Sequence, residues 1–261
     1  MIQLIVSDID STLIDHIGYL PPENVAALSA ARRRGVRLVL ATVRKRDSAE
    51  YIAEQLGGAN ALICNSGATI FDAQGAVLRA LTIPLTIAQA VAALADQHGL
   101  PLLATIDEQN YYRPGAQPAA HIKAQGQDVA LMLPVMTQAP SRLIMRGEVG
   151  AALIMREFSD AGLRFARHYH ADGTLADLIV THADATKEAA LRFVCDTWGI
   201  ALADVLALGD AEADIGMLQQ AGVGVAVGNA HPEVRAIANW VAPSAGEGGV
   251  AAAVERYCVA P

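Results

Sequence analysis

The chain has 261 residues, 53% of them hydrophobic and 18% charged: ample apolar material for a core and no tract polar enough for disorder. A formal net charge of -8, from 27 acidic and 19 basic side chains, argues against a surface built to neutralise nucleic-acid phosphates. Apolar runs all fall short of the roughly 18 residues of a membrane span. The three cysteines, Cys64, Cys195 and Cys258, lack metal-ligand spacing and read as buried free thiols.

The first strand follows Met1-Ile2-Gln3 directly, with no basic segment or cleavage site, so a cytoplasmic protein is expected. Leu4 to Val6 forms an apolar run that ends abruptly in Asp8-Ile9-Asp10-Ser11-Thr12. Residues i and i+2 of a strand share a face, which would aim Asp8 and Asp10 into one small volume. Two anions so placed call for a divalent metal, a shared proton, or both.

Pro21-Pro22-Glu23 opens a helix with Val25 and Leu28 on one face, and the helix closes at Gly35. The triplet Arg32-Arg33-Arg34 at its end suits the helix dipole and reads as a solvated terminus. A second strand, Val36 to Ala41, ends in Thr42-Val43-Arg44. A helix from about Ser48 to Leu56 stops at Gly57-Gly58, and the strand Ala61 to Cys64 ends in Asn65-Ser66-Gly67-Ala68. Strands alternating with helices predict a Rossmann-like α/β core with a parallel sheet, whose ligands gather at the carboxyl ends of the strands.

The rhythm changes near Pro84. A helix marked by Ile87, Val91 and Leu94 is followed by strand-like segments at Leu102 to Ile106, Tyr111 to Arg113, Val129 to Leu133 and Arg142 to Met145. A helix from about Glu148 to Ser159 precedes Leu163 to His168 and Leu175 to Val180, and 114–127 reads as a loop. These segments predict an inserted α+β domain over 82–182, the core being 1–81 plus 183–261. The α/β rhythm then returns. Leu191, Val194, Cys195 and Trp198 place Lys187 in the first turn of an amphipathic helix that Asp184 or Thr186 caps. The strand Asp204 to Leu208 runs into Gly209-Asp210, and a helix begins near Asp214. Val223 to Val227, Gly228-Asn229-Ala230 and helices near Glu233 and Val250 complete the core.

Asp8, Asp10 and Asp210 thus fall at strand ends, where oxygen ligands suit Mg²⁺. Thr42 adds a hydroxyl and turn amides, and Lys187 adds a positive charge, which together describe a phosphate site. Taken singly, Asp210 and Asp214 also fit an N-cap and a first-turn acid, Lys187 a solvated helix residue, and Arg44 a surface charge.

The order Asp8-Ile9-Asp10-Ser11-Thr12, Thr42-Val43-Arg44, Lys187 and Gly209-Asp210-x-x-x-Asp214 resembles the haloacid dehalogenase superfamily of phosphatases. The long insertion, with Ser66-Gly67-Ala68, Met217-Leu218 and Val227-Gly228-Asn229-Ala230, resembles its Cof-like, type IIB capped branch. The resemblance implies Asp8 as nucleophile and Asp10 as acid/base, with Ile9, Thr42, Val43 and Lys187 on the phosphate and Arg44 on the substrate. It also implies Mg²⁺ held by Asp8, the Asp10 carbonyl and Asp210, with Asp214 behind them or as an outer ligand. The expected activity is hydrolysis of a small phosphorylated metabolite, such as a sugar phosphate, through an aspartyl phosphate. No nucleic-acid or membrane partner is expected.

The sequence departs from the branch at Val43, where Gly is usual, at Ala213 and Ser66, where Asn is usual, and at Glu188, where Gly is usual. These departures motivate two alternatives: a weakened phosphate- or partner-binding module, and a phosphomutase or phosphotransferase on the same core. Substrate choice would rest on inserted-domain residues such as Arg113, His121, Lys123 and Arg142. The alternating His168 and His170 are weak metal candidates.

Overall fold

The computed structural model describes residues 1–115, 126–169 and 172–259. In chain order, the first stretch holds β1 (Leu4–Ser7), α1 (Pro22–Arg33), β2 (Arg37–Ala41), α2 (Arg46–Gln55), β3 (Ala61–Cys64), β4 (Thr69–Asp72) and β5 (Val77–Ala80). The middle holds α3 (Leu85–His98), β6 (Leu102–Ile106), β7 (Gln109–Arg113), β8 (Gln127–Asp128), β9 (Arg142–Arg146), α4 (Glu148–Glu157), β10 (Leu163–Tyr169) and β11 (Leu175–His182). The last stretch holds α5 (Lys187–Trp198), β12 (Val205–Gly209), α6 (Ile215–Gln220), β13 (Val223–Ala226), α7 (Pro232–Ile237), β14 (Trp240–Val241) and α8 (Gly249–Val254). The chain divides into two compact units, 1–79 with 186–261, and 80–185.

The first unit is built on an eight-stranded sheet in the order β14-β13-β12-β1-β2-β3-β4-β5. The six strands from β14 to β3 pair in parallel, and β4 turns back antiparallel on β3. The return through β4 and β5 departs from the expected all-parallel sheet: Asp72 accepts the amides of Gln74 and Ala76 and closes a tight turn that apolar patterning does not reveal. Alternation along the strands sorts two cores. Ile5, Leu38, Leu40, Leu206 and Leu208 pack toward Leu28 of α1, Ile52 of α2 and Val250 of α8. Leu4, Val6, Val39 and Ile63 pack toward Leu191 and Val194 of α5 and Met217 of α6. Each such side chain, fully buried, contributes on the order of 1.5–3 kcal/mol.

The second unit is a six-stranded sheet in the order β10-β11-β9-β6-β7-β8, antiparallel except where β7 meets β8. Helices α3 and α4 lie on one face, over Leu102, Ala104, Leu143, Met145, Leu178 and Val180. The strand expected at 129–133 is absent. Instead β8 occupies only Gln127–Asp128 and a short 3-10 turn covers Leu133–Val135, because Asp96 at the end of α3 takes the amides of Met132 and Leu133 out of any ladder. No helix among the described residues is long and apolar enough to cross a membrane.

Candidate active site

The parallel order sets β1 between β12 and β2, so the carboxyl ends of three strands deliver their loops to one place. The Asp8 amide donates to the Leu208 carbonyl at 3.0 Å, locking the end of β1 to β12, and the residue is 6% exposed. Lys187 opens α5, whose preceding residue Thr186 caps it by accepting the Ala189 amide at 3.0 Å. Its ammonium donates to Asp8 Oδ1 at 2.5 Å and to Asp214 Oδ1 at 2.7 Å. A cation at a helix N-terminus opposes the dipole, and these two carboxylates compensate it.

Asp214 is wholly buried, and its second oxygen, Oδ2, accepts the amides of Asp210 at 3.1 Å and Ala211 at 3.0 Å. Both its oxygens are therefore engaged, which makes it the brace that holds Lys187 and the Asp210 turn together. Asp210 accepts the Thr12 hydroxyl at 2.7 Å on Oδ1. Its other oxygen carries no hydrogen bond from the described residues, and neither does Asp8 Oδ2. One carboxylate oxygen from each of Asp8, Asp210 and Asp214 lies within 4.8 Å of the others.

Charge follows from this geometry. Burial pushes the Asp8 carboxyl well above the ordinary carboxylate range, against the pull of Lys187, and Asp214 and Asp210 push it further up. Burial would lower the Lys187 ammonium, but Asp214 and Asp8 outweigh it and hold the group above its ordinary value. Burial also raises Asp210, with the Thr12 hydrogen bond pulling the other way. With all three carboxylates ionised around one ammonium, two negative charges would be left over, which a divalent cation would balance. A hard cation suits an all-oxygen donor set of this kind, so the residues present fit such an ion.

Asp10 is not in that cluster. Although only two residues from Asp8, its side chain is 47% exposed and paired with Arg44, Nε to Oδ2 at 2.9 Å and Nη2 to Oδ1 at 2.6 Å. The strand ends at Ser7, before either carboxylate, so its two-residue alternation does not extend to align them. Arg44, expected on the substrate, lies on Asp10, and that hydrogen bond above all raises its pKa. Ile9 is fully buried, and its carbonyl accepts the amides of Thr12, Leu13 and Ile14. Thr42 is fully buried at the end of β2, its amide bonded to Ile63 and its hydroxyl accepting the Arg44 amide at 3.1 Å.

The departures are accommodated. Val43 is not among the residues with positive φ, so its β-branch is not strained there. Ser66 does adopt φ 61°. Glu188 lies over Gly216, where any Cβ would collide with its carboxylate, so the added side chain has room on α6. Ala213 sits within the short 3-10 turn Glu212–Asp214.

Three residues support the site without chemistry of their own: Gly67 and Asn229, which the motifs above include, and Asn24, which they do not. Gly67, at φ +99°, lies so close to the Thr186 backbone that a Cβ would overlap its carbonyl, which sets the start of α5 against the end of β3. Asn24, fully buried, donates to the Leu13 carbonyl and accepts the Ala251 amide, tying the loop after Asp10 to α8. Asn229 donates to the Ser11 carbonyl and accepts the Ala245 amide. The one signal for Asn24 was a polar residue on the inner side of an apolar helix.

In the second unit, Arg113 is committed to Asp96 at 2.9 Å and to the Leu100 and Pro114 carbonyls. Arg142 is 7% exposed and donates to Thr105 Oγ1, which donates to Asn110 Oδ1. His168 is exposed on β10 opposite Asp177. His121, Lys123 and His170 lie outside the described residues.

The family model for haloacid dehalogenase-like hydrolases matches residues 5–142 and 152–254. Among full-length relatives, phosphatase YwpJ of Bacillus subtilis is 28% identical, covering 95% of this chain and 97% of its own. Pyridoxal phosphate phosphatase YbhA of Escherichia coli is 25% identical over 92% of each chain. The solved structure of a subclass IIB sugar phosphatase superposes with a TM-score of 0.82 at 22% identity, covering 99% of this chain and all of that one, which shows a shared fold. The acidic trio about a buried lysine and the strand order that assembles it agree with a match spanning nearly the whole sequence, and the chain belongs to the haloacid dehalogenase-like hydrolases.

Proposed function

We propose that the chain is a Mg²⁺-dependent phosphatase acting on a small phosphorylated metabolite. The observation that carries this reading is the cluster of Asp8, Asp210 and Asp214 beside Lys187, with one oxygen of Asp8 and one of Asp210 that take no hydrogen bond from the described residues. Those two oxygens would hold Mg²⁺, which supplies positive charge to the phosphoryl oxygens and favours the ionised form of Asp8.

Asp8 attacks phosphorus, forming the Asp8 Oδ–P bond as the bond to the leaving oxygen breaks. Asp10 gives that oxygen a proton, then takes one from the water that hydrolyses the aspartyl phosphate. Lys187 neutralises the phosphoryl group, and the Thr42 hydroxyl and the turn amides around Val43 and Ile9 orient it. Relatives named as a pyridoxal phosphate phosphatase and a phosphatase support a phosphomonoester as the substrate class. The inserted unit would select the leaving group.

The test is phosphate release from p-nitrophenyl phosphate with and without Mg²⁺, using Asp8→Asn as control. Metal-dependent turnover that falls at least about 10³-fold in the variant is expected. Inactivity under both conditions, or full activity in Asp8→Asn, refutes the reading.

A further inference from the structure

In the acidic cluster Lys187 serves Asp8 and Asp214, backbone amides serve Asp214 and the Thr12 hydroxyl serves Asp210, whereas Asp10 has a cation of its own. The pairing is two-pronged: Arg44 Nε meets Oδ2 at 2.9 Å and Nη2 meets Oδ1 at 2.6 Å. Two parallel donors fix the plane of a carboxylate, which a single contact cannot do. Arg44 is itself held at both ends of its backbone, its amide on the Thr42 hydroxyl at 3.1 Å and its carbonyl on the Asn65 amide at 2.9 Å. The fork is thus mounted on the end of β2, and Asp10, on a half-exposed turn, borrows that rigidity.

We propose that Arg44 is a positioning residue that orients Asp10 for proton transfer to the leaving oxygen. The inference rests on the phosphatase reading. A carboxylate offers about four lone-pair sites, so two remain for a proton while the fork occupies the others. In the first step the proton passes from Asp10 to the leaving oxygen as the P–O bond breaks and the Asp8–P bond forms. A fixed carboxyl plane shortens the search for that geometry. A lysine at position 44 would keep the charge and lose the fork.

The experiment compares kcat/KM, which reports the steps through leaving-group departure, for two esters of nearly the same shape. The phenolate of p-nitrophenyl phosphate leaves with little help, and that of phenyl phosphate is much more basic and needs the proton. Arg44→Gln and Arg44→Lys are assayed beside the wild-type chain, with urea midpoints verifying that all three fold. In both variants kcat/KM for phenyl phosphate is expected to fall at least about tenfold further than for p-nitrophenyl phosphate, a part of the ~10²–10⁴ that a positioned acid supplies. Equal losses on the two esters would assign Arg44 to binding or folding, and recovery with lysine would reduce it to a charge; either result overturns the positioning role alone. A wild-type chain inert toward both esters overturns the phosphatase reading and this inference with it.

Discussion

Replacing Lys187 with methionine removes the one ammonium that two buried carboxylates share. The side chain is 3% exposed and lies 2.5 Å from Asp8 and 2.7 Å from Asp214. Methionine keeps most of the volume, so the loss is chiefly electrostatic. Breaking a buried pair from one side costs about 3–5 kcal/mol. A domain holds about 5–15 kcal/mol in total, so the variant still folds, with a lower urea midpoint. Proton uptake limits the cost. Burial already raises the Asp8 carboxyl and Lys187 is the leading influence against it, so the variant's Asp8 rises further.

The sign of the pH dependence follows. A native pKa above the unfolded value means that the folded chain keeps a proton the unfolded chain has lost. Stability is therefore best near the unfolded carboxylate pKa of about 3.9 and declines as pH rises toward the native value, by about 1.4 kcal/mol per unit. The raised Lys187 pKa keeps the wild-type contribution intact until pH passes the ordinary lysine value. Urea unfolding in EDTA from pH 4 to pH 7 should show a deficit, variant against wild type, that is smallest at the acid end and widens with pH. A variant within about 0.5 kcal/mol of wild type at neutral pH, or a deficit that narrows as pH rises, refutes the electrostatic account.

Gly67→Ala should destabilise by about 2–5 kcal/mol in the same urea assay, from left-handed strain and overlap with the Thr186 backbone, and an unchanged midpoint would show that α5 does not depend on that approach. Thr12→Val, at a fully buried site of nearly equal volume, removes the only hydroxyl on Asp210 among the described residues. It should raise the Mg²⁺ concentration for half-maximal phosphate release about 10–100-fold, measured by metal titration, and an unmoved midpoint would leave Asp210 oriented by the backbone alone.

Much of this molecule is local. The apolar run before Asp8, the cap at Thr186 and the spacing of Leu191, Val194 and Cys195 each follow from periodicity within a dozen residues, and each forms its element where expected. The hairpin of β4 and β5 was hidden because it hangs on the Asp72 turn, and the segment at 129–133 failed as a strand because Asp96, far back in sequence, captures its amides. The acidic and basic groups of the site were legible by type and order.

Which cation meets which carboxylate was not. The i, i+2 spacing of Asp8 and Asp10 suggests one shared volume, yet β1 ends at Ser7, before either of them, and the structure gives Asp8 to Lys187 across 179 residues and Asp10 to Arg44 across 34. Thr12 reaches Asp210 over a separation of 198 residues because β1 lies beside β12. Sequence by itself determined the roster of charged groups and those elements whose periodicity is local, since both depend on neighbours in the chain. Only the tertiary structure decided the pairings, because strand order sets the distances between loops, and charge interactions are decided by distance and burial.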